Sequence, residues 1–296
     1  MRVAVTGSSG LIGSALLPIL RRDGHEALRV VRREPAAPDE VGWDPEAGTI
    51  DTRALAGVDA IVNLAGYTIG TRWTGSRKRR ILDSRARATR LLAETAAGLD
   101  PQPRAFLCAG AVGVYGDRGD EVLTEESPRG EGFLADVAEQ WEGAAQPARD
   151  GGIRVVNFRH GLVLSRRGGA LARMLLPFRL GLGGPIGSGE QWWSWIAIED
   201  VVEAYAYALA RPVSGVVNLV SPAPVRNRDF AKAFGRAVRR PAIAPFPSFA
   251  VKTVFGEMGR EVLLASQRVV PAALESSGYE IRQPTLDEAL ASALTA

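Results

Sequence analysis

The stretch MRVAVTGSSGLIGSAL, residues 1–16, decides the fold of this chain. Its apolar run Val3–Val5 is too short for a helix and ends at Thr6-Gly7. From Leu11 to Leu20, apolar side chains instead recur at the helical period. Three glycines, at positions 7, 10 and 13, mark the junction between the two patterns. The stretch therefore predicts a strand, a tight turn and an amphipathic helix.

The glycines of this turn are spaced as in loops that hold a diphosphate. Gly7 permits the tight turn, Gly10 lets the backbone approach a ligand, and Gly13 lets the helix pack on the strand. The N-terminus of the helix presents unpaired N–H groups and a partial positive charge, which suit a pyrophosphate. We therefore predict a dinucleotide-binding loop; a tight turn without a ligand is the alternative.

The end of the second predicted strand bears on the choice of dinucleotide. This strand, Ala27–Val31, is followed by Arg32, Arg33 and Glu34. A carboxylate usually holds the ribose hydroxyls of NAD at this place, whereas an arginine can pair with the 2′-phosphate of NADP. Because the two arginines precede the acid, NADP is predicted in preference to NAD. Two solvated loop arginines are the alternative.

Further along the chain, apolar runs alternate with segments of helical length. We predict strands at 59–66, 104–110 and 153–164, and helices at 76–98 and 132–149. This alternation predicts an α/β fold with a Rossmann-type, doubly wound parallel sheet. From Gly168 the chain becomes rich in Gly, Pro and Trp, and then returns to helix and strand at 200–220. We expect a discontinuous Rossmann domain and a small, mostly helical C-terminal region that binds substrate, formed by 1–165 with 196–221 and by 166–195 with 222–296, respectively.

The composition excludes several classes of function. The 36 basic and 33 acidic side chains leave no charge excess that would suit nucleic acid. No uninterrupted apolar run reaches the roughly 18 residues of a membrane span. No spacing of His, Cys, Asp or Glu predicts a metal site. The single cysteine, Cys108, and the lack of a charged-then-apolar leader favour a cytoplasmic protein with a small-molecule partner. The oligomeric state is left open, a homodimer included.

Several motifs carry a resemblance to a known family. VAVTGSSGLIG, DAIVNLAG, VGVYG and WIAIEDVVEAY resemble the extended short-chain dehydrogenase/reductase superfamily, or NAD-dependent epimerase/dehydratase family. FRLGLGGPIGSGEQ and NLVSPAPVRNRDFAKAFG are similar to an atypical subgroup described as sugar-nucleotide epimerases or epimerase-family oxidoreductases of unknown substrate. The resemblance implies that the following residues line the cofactor: Gly7, Ser8, Ser9, Gly10, Leu11, Ile12, Arg32, Leu64, Ala65, Gly66, Ala109, Gly110, His160 and Gly161.

The catalytic residues usual in this superfamily are missing. Its mechanism uses a tyrosine as proton donor, a lysine four residues later that lowers the pKa of the tyrosine, and an upstream Ser or Thr. Aligned on VYG at 114–116, the hydroxyl position falls on Gly110 or Ala111, the tyrosine on Leu134 and the lysine on Ala138. General-acid assistance is typically worth 10² to 10⁴ in rate. Its loss predicts slow chemistry or the use of other groups.

Other polar side chains are expected near the C-terminal ends of the strands, where such folds bind ligands. They are Arg72, Arg85, Tyr115, Glu139 and Arg159. Tyr115, Arg159 and Arg85 are the catalytic candidates, and Tyr115 is the only phenol among them. Structural pairing with a carboxylate is the alternative for the arginines.

We therefore expect an NADP(H)-binding, epimerase-family oxidoreductase that acts on an unidentified small molecule, such as a nucleotide sugar or a carbonyl compound. The absent Ser, Tyr and Lys support a rival from another class, a dinucleotide-binding sensor or interaction protein without catalysis. Binding of a nucleotide sugar without redox chemistry is a third alternative.

Overall fold

A computed structural model describes residues 1–295. The strands are β1 (Arg2–Thr6), β2 (Glu26–Val31), β3 (Glu40–Asp44), β4 (Thr49–Ile50), β5 (Ala60–Asn63), β6 (Ala105–Ala111), β7 (Val122–Leu123), β8 (Arg154–His160), β9 (Leu162–Leu164), β10 (Trp192–Trp193), β11 (Trp195–Ala197), β12 (Gly215–Leu219), β13 (Val225–Arg226) and β14 (Arg268–Val269). The α-helices are α1 (Leu11–Arg22), α2 (Gly75–Gly98), α3 (Phe133–Gly143), α4 (Gln146–Asp150), α5 (Gly169–Arg179), α6 (Ile198–Ala210), α7 (Asn227–Ala237), α8 (Ser248–Phe255), α9 (Ala272–Ser276) and α10 (Leu286–Thr295). A 3₁₀ turn spans Val112–Tyr115 and a π-helical turn spans Gly259–Leu264.

Eight strands form the central sheet, in the order β12-β8-β6-β5-β1-β2-β3-β4. Every neighbouring pair is parallel except β3 with β4. The strand order reverses at β1, which pairs with both β2 and β5. Ligands of such sheets bind outside the carboxyl ends of the strands at this reversal. The predicted doubly wound α/β fold is confirmed.

Helices cover both faces of the sheet. Along β1, Val3 and Val5 face one core cluster and Ala4 faces the other, because successive side chains of a strand point to opposite faces. Leu16 of α1 packs in the first cluster and Leu92 of α2 in the second. Burial on both faces explains why the strands appear in the sequence as continuous apolar runs.

Some boundaries differ from the predictions. The predicted strand 153–164 divides at Gly161 into β8, in the central sheet, and β9, which pairs with β11. A Cβ at Gly161 would lie 2.6 Å from the carbonyl oxygen of Ser194, so the close approach of the two chain segments requires glycine. The predicted helix 132–149 likewise divides into α3 and α4. The short strands β3 and β4 and helix α5 were not predicted.

The C-terminal region contributes to two cores. Trp193, Trp195, Phe230 and Leu290 share a cluster that lies outside the central sheet. Leu274 of α9, however, packs in the cluster of the central sheet. The division into a Rossmann domain and a separate substrate region therefore stays a prediction. No helix within residues 1–295 combines the length and hydrophobicity of a membrane span.

Candidate dinucleotide and substrate site

The glycine turn lies at the reversal of the sheet. Gly7 has a φ of 62°, and a Cβ there would lie 2.6 Å from the carbonyl oxygen of Leu64, which follows β5. A Cβ at Gly13 would collide with the carbonyl oxygen of Gly7. The N–H of Gly10 donates to the same oxygen at 2.9 Å and closes the turn. The geometry thus matches the predicted parts of Gly7 in the turn and Gly13 in helix packing.

The N-terminus of α1 carries no capping side chain. Gly10 is the N-cap, and the first turn contains no acidic residue. The first N–H groups of a helix have no partner within the helix and carry a partial positive charge. This end of α1 can therefore hold an anion in the crevice between β1 and β5.

A buried polar network holds the two strand ends together. The Thr6 hydroxyl donates to Oδ1 of Asn63 at 2.7 Å and accepts from the N–H groups of Leu64 and Ala65 at 3.1 and 3.2 Å. Nδ2 of Asn63 donates to the Thr89 hydroxyl at 2.7 Å. These bonds position the loop that faces the glycine turn. The sequence analysis missed Thr6 and Asn63, although each is a polar residue closing an apolar strand.

The two arginines after β2 differ in their surroundings. Both Nη atoms of Arg33 donate to the Glu40 carboxylate, and Nη1 also donates to the carbonyl of Glu34 at 2.9 Å. The Arg33 guanidinium holds the pKa of the buried Glu40 carboxyl below its usual value. Arg32 is exposed and makes no side-chain hydrogen bond or ion pair with residues 1–295. Of the predicted pair, only Arg32 is free to meet a phosphate.

His160 closes β8 with its side chain in the interior. Its Nδ1 lies 3.0 Å from the carbonyl oxygen of Gly110, and its Nε2 lies 3.3 Å from the Tyr205 hydroxyl. Burial lowers the pKa of His160 to about 4, so the ring is neutral at pH 7. The imidazole links β6, β8 and α6, and only the backbone of His160 and Gly161 remains for the predicted cofactor contact.

Arg159 lies near the C-terminal end of β8 and Tyr115 lies in the turn after β6, as expected, and their side chains form a buried network. The fully buried Tyr115 hydroxyl donates to Oδ1 of Asn218 at 2.7 Å and accepts from Nη1 of Arg159 at 2.9 Å. Nε and Nη2 of Arg159 donate to the two carboxylate oxygens of Glu142 at 2.7 and 2.8 Å. Burial raises the pKa of Tyr115. These contacts favour the structural alternative for Arg159 and a structural part for Tyr115.

Arg85, on α2, borders the loop after β5. Its Nη1 donates to the carbonyl oxygens of Tyr67 and Ile81 at 2.9 and 3.1 Å, and its Cζ lies 4.9 Å from the centre of the Trp141 ring. No carboxylate of residues 1–295 forms an ion pair with it. Burial lowers the pKa of Arg85 to about 10. A Cβ at Gly66 would lie 3.1 Å from its Cζ.

The remaining two polar candidates lie on the surface. Arg72 is exposed and donates to the carbonyl of Thr253 at 3.0 Å. Glu139 is exposed on α3 and pairs with Arg129 at 3.0 Å. Glu139 thus lies on the solvent face of its helix, which corrects its expected place at a strand end.

A cavity of about 330 Å³ adjoins the N-terminus of α3. Its walls include Gly113, Glu131, Leu134, Arg260 and Glu261. At the position implied for the tyrosine, Leu134 thus brings an apolar side chain to the wall. The Glu261 carboxylate accepts from the N–H groups of Phe133 and Leu134 at 3.1 and 2.8 Å. Glu261, which the sequence analysis missed, ties the π-helical turn to α3.

Comparisons with known proteins agree with this architecture. The NAD dependent epimerase/dehydratase family matches residues 3–220, and a domain of unknown function, DUF1731, matches residues 246–293. Epimerase family protein Mb2239 of Mycobacterium bovis is 48% identical over 99% of this chain and 97% of its own length. Epimerase family protein SDR39U1 of Homo sapiens is 40% identical over 98% of both chains.

Two solved structures extend the comparison. The crystal structure of human SDR39U1 (isoform 2) with NADPH has a TM-score of 0.92 at 39% identity and covers 100% of both chains. That of a nucleoside-diphosphate sugar epimerase from Corynebacterium glutamicum has a TM-score of 0.83 at 40% identity, over 99% of this chain and 58% of that one. With its Rossmann sheet and glycine turn, this chain belongs to the NAD-dependent epimerase/dehydratase family.

Proposed function

We propose that this chain is an NADP(H)-binding oxidoreductase that acts on a small molecule. One observation carries the proposal: the glycine turn Gly7–Gly13 lies at the reversal of the sheet, where the N-terminus of α1 has no side-chain cap. The human relative that was crystallised with NADPH supports the same ligand for this turn. Arg32 supports NADP over NAD because its guanidinium has no partner within residues 1–295 and can meet the 2′-phosphate.

The residues of this chain have distinct parts in the proposal. The amides of the first turn of α1 hold the diphosphate, and the loop Leu64–Gly66 with the backbone at Ala109–Gly110 and His160–Gly161 lines the dinucleotide. When bound, the coenzyme supplies hydride chemistry. The cavity beside Leu134 receives the substrate. Because Leu134 carries no hydroxyl, a proton must come from another group or from water, and we expect slow turnover.

The substrate is proposed to be a nucleotide sugar or a carbonyl compound. The name of the Corynebacterium relative, a nucleoside-diphosphate sugar epimerase, supports the first. Charge and cysteine content support a small molecule rather than nucleic acid as the partner, and a cytoplasmic location.

The second candidate function is that of a dinucleotide-binding sensor without catalysis. It is favoured by Leu134 and Ala138, which stand where the family has its tyrosine and lysine, and by the burial of Tyr115. This candidate uses the same dinucleotide site but requires no substrate chemistry.

Single-turnover absorbance at the reduced-nicotinamide band separates the two candidates. NADPH-loaded protein is mixed with a panel of carbonyl compounds and sugar nucleotides, and the decay of the band is followed. The proposal expects oxidation that depends on at least one substrate. Tight binding of NADPH with no oxidation across the panel would favour the sensor, and the absence of NADPH binding would refute both.

A further inference from the structure

Arg85 carries a charge that no residue of the described chain, 1–295, balances. Arg85 is half-buried between α2 and the loop after β5. Burial lowers its pKa, and no neighbouring acid within these residues opposes that shift. Removing a cation from water is costly unless it is paired. A half-buried cation without an acid partner in residues 1–295, beside the edge where such sheets bind ligands, therefore indicates a partner that comes from outside the chain.

The unpaired part of Arg85 is the edge formed by Nε and Nη2. Nη1 is engaged by two carbonyl oxygens, whereas within residues 1–295 neither Nε nor Nη2 has an acceptor. Nε and Nη2 form a planar fork that matches the two oxygens of a carboxylate or phosphate. The indole N–H of Trp141, the ring below the guanidinium, is also buried without an acceptor in these residues. The two side chains thus offer donors that lack an acceptor.

Other arginines of this protein show what that fork binds. Nε and Nη2 of Arg159 hold Glu142, those of Arg29 hold Asp39 at 3.0 and 2.7 Å, and those of Arg118 hold Glu121 at 2.8 and 2.7 Å. Each of these arginines binds both oxygens of one carboxylate. Arg85 presents the same fork, and no carboxylate of the described residues, 1–295, binds it.

Gly66 keeps the fork uncovered. A Cβ at this position would lie 3.2 Å from Nη2 and 3.5 Å from Nε of Arg85. The φ angle of Gly66 is not among the positive values, so the backbone alone does not demand glycine there. A methyl group at position 66 would therefore crowd the guanidinium.

From this geometry we infer that Arg85 is an anion receptor of the crevice, and that its fork binds a carboxylate or phosphate group of a bound molecule. The inference deepens the proposed function and rests on it for the crevice. The group comes either from the coenzyme or from the substrate. In the second case the substrate is an anionic molecule, which narrows its chemical class.

The test compares three variants with the wild type. Arg85→Gln removes the charge, and Arg85→Lys keeps the charge but loses the fork. Arg87→Gln is the matched control, since Arg87 lies on the exposed face of the same helix. Calorimetry measures the affinity of each protein for NADPH and for 2′,5′-ADP, and the affinity of the NADPH-loaded protein for inorganic phosphate and acetate.

If the anion belongs to the coenzyme, Arg85→Gln is expected to lower the affinity for NADPH at least tenfold, and Arg85→Lys to lower it less. An unchanged affinity for 2′,5′-ADP would then place the contact on the other half of the coenzyme. A substrate partner predicts unchanged NADPH affinity, with saturable phosphate or acetate binding that Arg85→Gln abolishes. The inference is overturned if Arg85→Gln changes neither NADPH affinity nor binding of the free anions. If NADPH does not bind the wild type, the proposed function fails, and the free anions, titrated without NADPH, still test Arg85.

A stability measurement separates this role from a structural one. If Arg85 served chiefly to bind the carbonyls of Tyr67 and Ile81, Arg85→Gln would lower Tm in the absence of ligand. An anion receptor predicts an unchanged or higher Tm, because the variant loses an unbalanced charge. Gly66→Ala leaves the charge in place, and it is expected to lower the affinity for the same ligand as Arg85→Gln does. Unchanged affinity in Gly66→Ala together with a lower Tm in Arg85→Gln would overturn the inference.

Discussion

Arg32 and Arg33 are neighbours in the chain, but only Arg33 binds a buried carboxylate, that of Glu40. Glu40 engages Arg33 through both oxygens and leaves Arg32 in solvent. A surface arginine without a partner can turn to a ligand at little cost, whereas Arg33 would have to abandon a buried acid. If the coenzyme is NADP, as proposed, we therefore expect its 2′-phosphate to meet Arg32 rather than Arg33.

Arg32→Ala is expected to lower the affinity for NADPH more than tenfold, because a charge-assisted hydrogen bond is worth about 1.5–3 kcal/mol. NADH, which lacks the 2′-phosphate, should bind as in the wild type. Fluorescence titration of both coenzymes measures the effect. Arg33→Ala is the control, and it should lower stability without changing the ratio of the two affinities. Equal affinity of the wild type for NADPH and NADH would contradict the arginine argument.

His160 makes stability depend on pH. Its pKa is about 4 in the folded chain and about 6.5 when unfolded. Between these values the unfolded state binds more protons than the folded state. The contribution of His160 to the free energy of unfolding is therefore fully present above pH 6.5 and is lost as the pH falls toward 4. The loss is about 1.4 kcal/mol per pH unit within that window. Urea denaturation at pH 7.5 and 5.0 measures it, and His160→Gln should flatten the dependence. An equal slope in that variant would assign the effect to other groups.

At the scale of elements, α3 shows why an apparent catalytic helix can be structural. Glu142 on α3 pairs with Arg159 on β8, and Arg159 in turn holds the Tyr115 hydroxyl at the end of the 3₁₀ turn. At its other end, α3 receives the Glu261 carboxylate from the π-helical turn. The helix is thus bound to the sheet at one end and to the C-terminal region at the other.

Tyr115→Phe is expected to lower stability by about 1–3 kcal/mol, because Asn218 and Arg159 each lose a buried partner. The affinity for NADPH and any turnover that is found should stay unchanged, since the hydroxyl is fully buried and engaged by Asn218 and Arg159. Urea denaturation and coenzyme titration measure the two effects. Lost turnover at unchanged stability would restore Tyr115 as a catalytic candidate.

The glycine turn has its own prediction. Gly13→Ala would drive a methyl group into the carbonyl of Gly7 and push α1 away from the turn. NADPH binding should be lost, and stability should fall. Gly98→Ala is the control, because a Cβ at Gly98, on the last turn of α2, meets nothing within 4 Å. It should be neutral or stabilise by up to about 1 kcal/mol. Normal NADPH affinity in Gly13→Ala would argue against this turn as the coenzyme site.

At the scale of the whole molecule, the proposed ligand site draws its walls from two regions of the chain. The loop Leu64–Gly66 follows β5 of the central sheet. The cavity wall at Arg260 and Glu261 comes instead from the C-terminal region. A ligand that spans the crevice would contact both regions, so its binding free energy adds to the stability of the entire fold.

NADPH at 100 times its Kd is therefore expected to stabilise the protein by about 2.7 kcal/mol. The shift of the urea midpoint measures this stabilisation, and it should shrink in Arg32→Ala at the same coenzyme concentration. The absence of a shift at every NADPH concentration would show that the folded chain does not bind the coenzyme.

Local patterns were sufficient for much of this fold. The short continuous apolar runs of the strands, the period of 3.6 in helices and the glycine spacing at 7, 10 and 13 are set by residues close in the chain, so the Rossmann sheet and its turn were predicted. Local patterns could not divide 153–164 into two strands, because the partner of β9 is β11, which follows an intervening helix.

Sequence alone thus determined the sheet, the glycine turn and the absence of the Ser, Tyr and Lys set. Tertiary structure alone decided which side chains are free to meet a ligand. Tyr115 is separated from Asn218 by 103 residues, and nothing near it in the chain reveals that its hydroxyl is buried. Arg33 and Arg85 have the same side chain, yet the Arg33 guanidinium binds the Glu40 carboxylate, whereas no acid within residues 1–295 binds that of Arg85. Charge and hydrogen bonding act through space, so their balance is settled only when distant segments pack together.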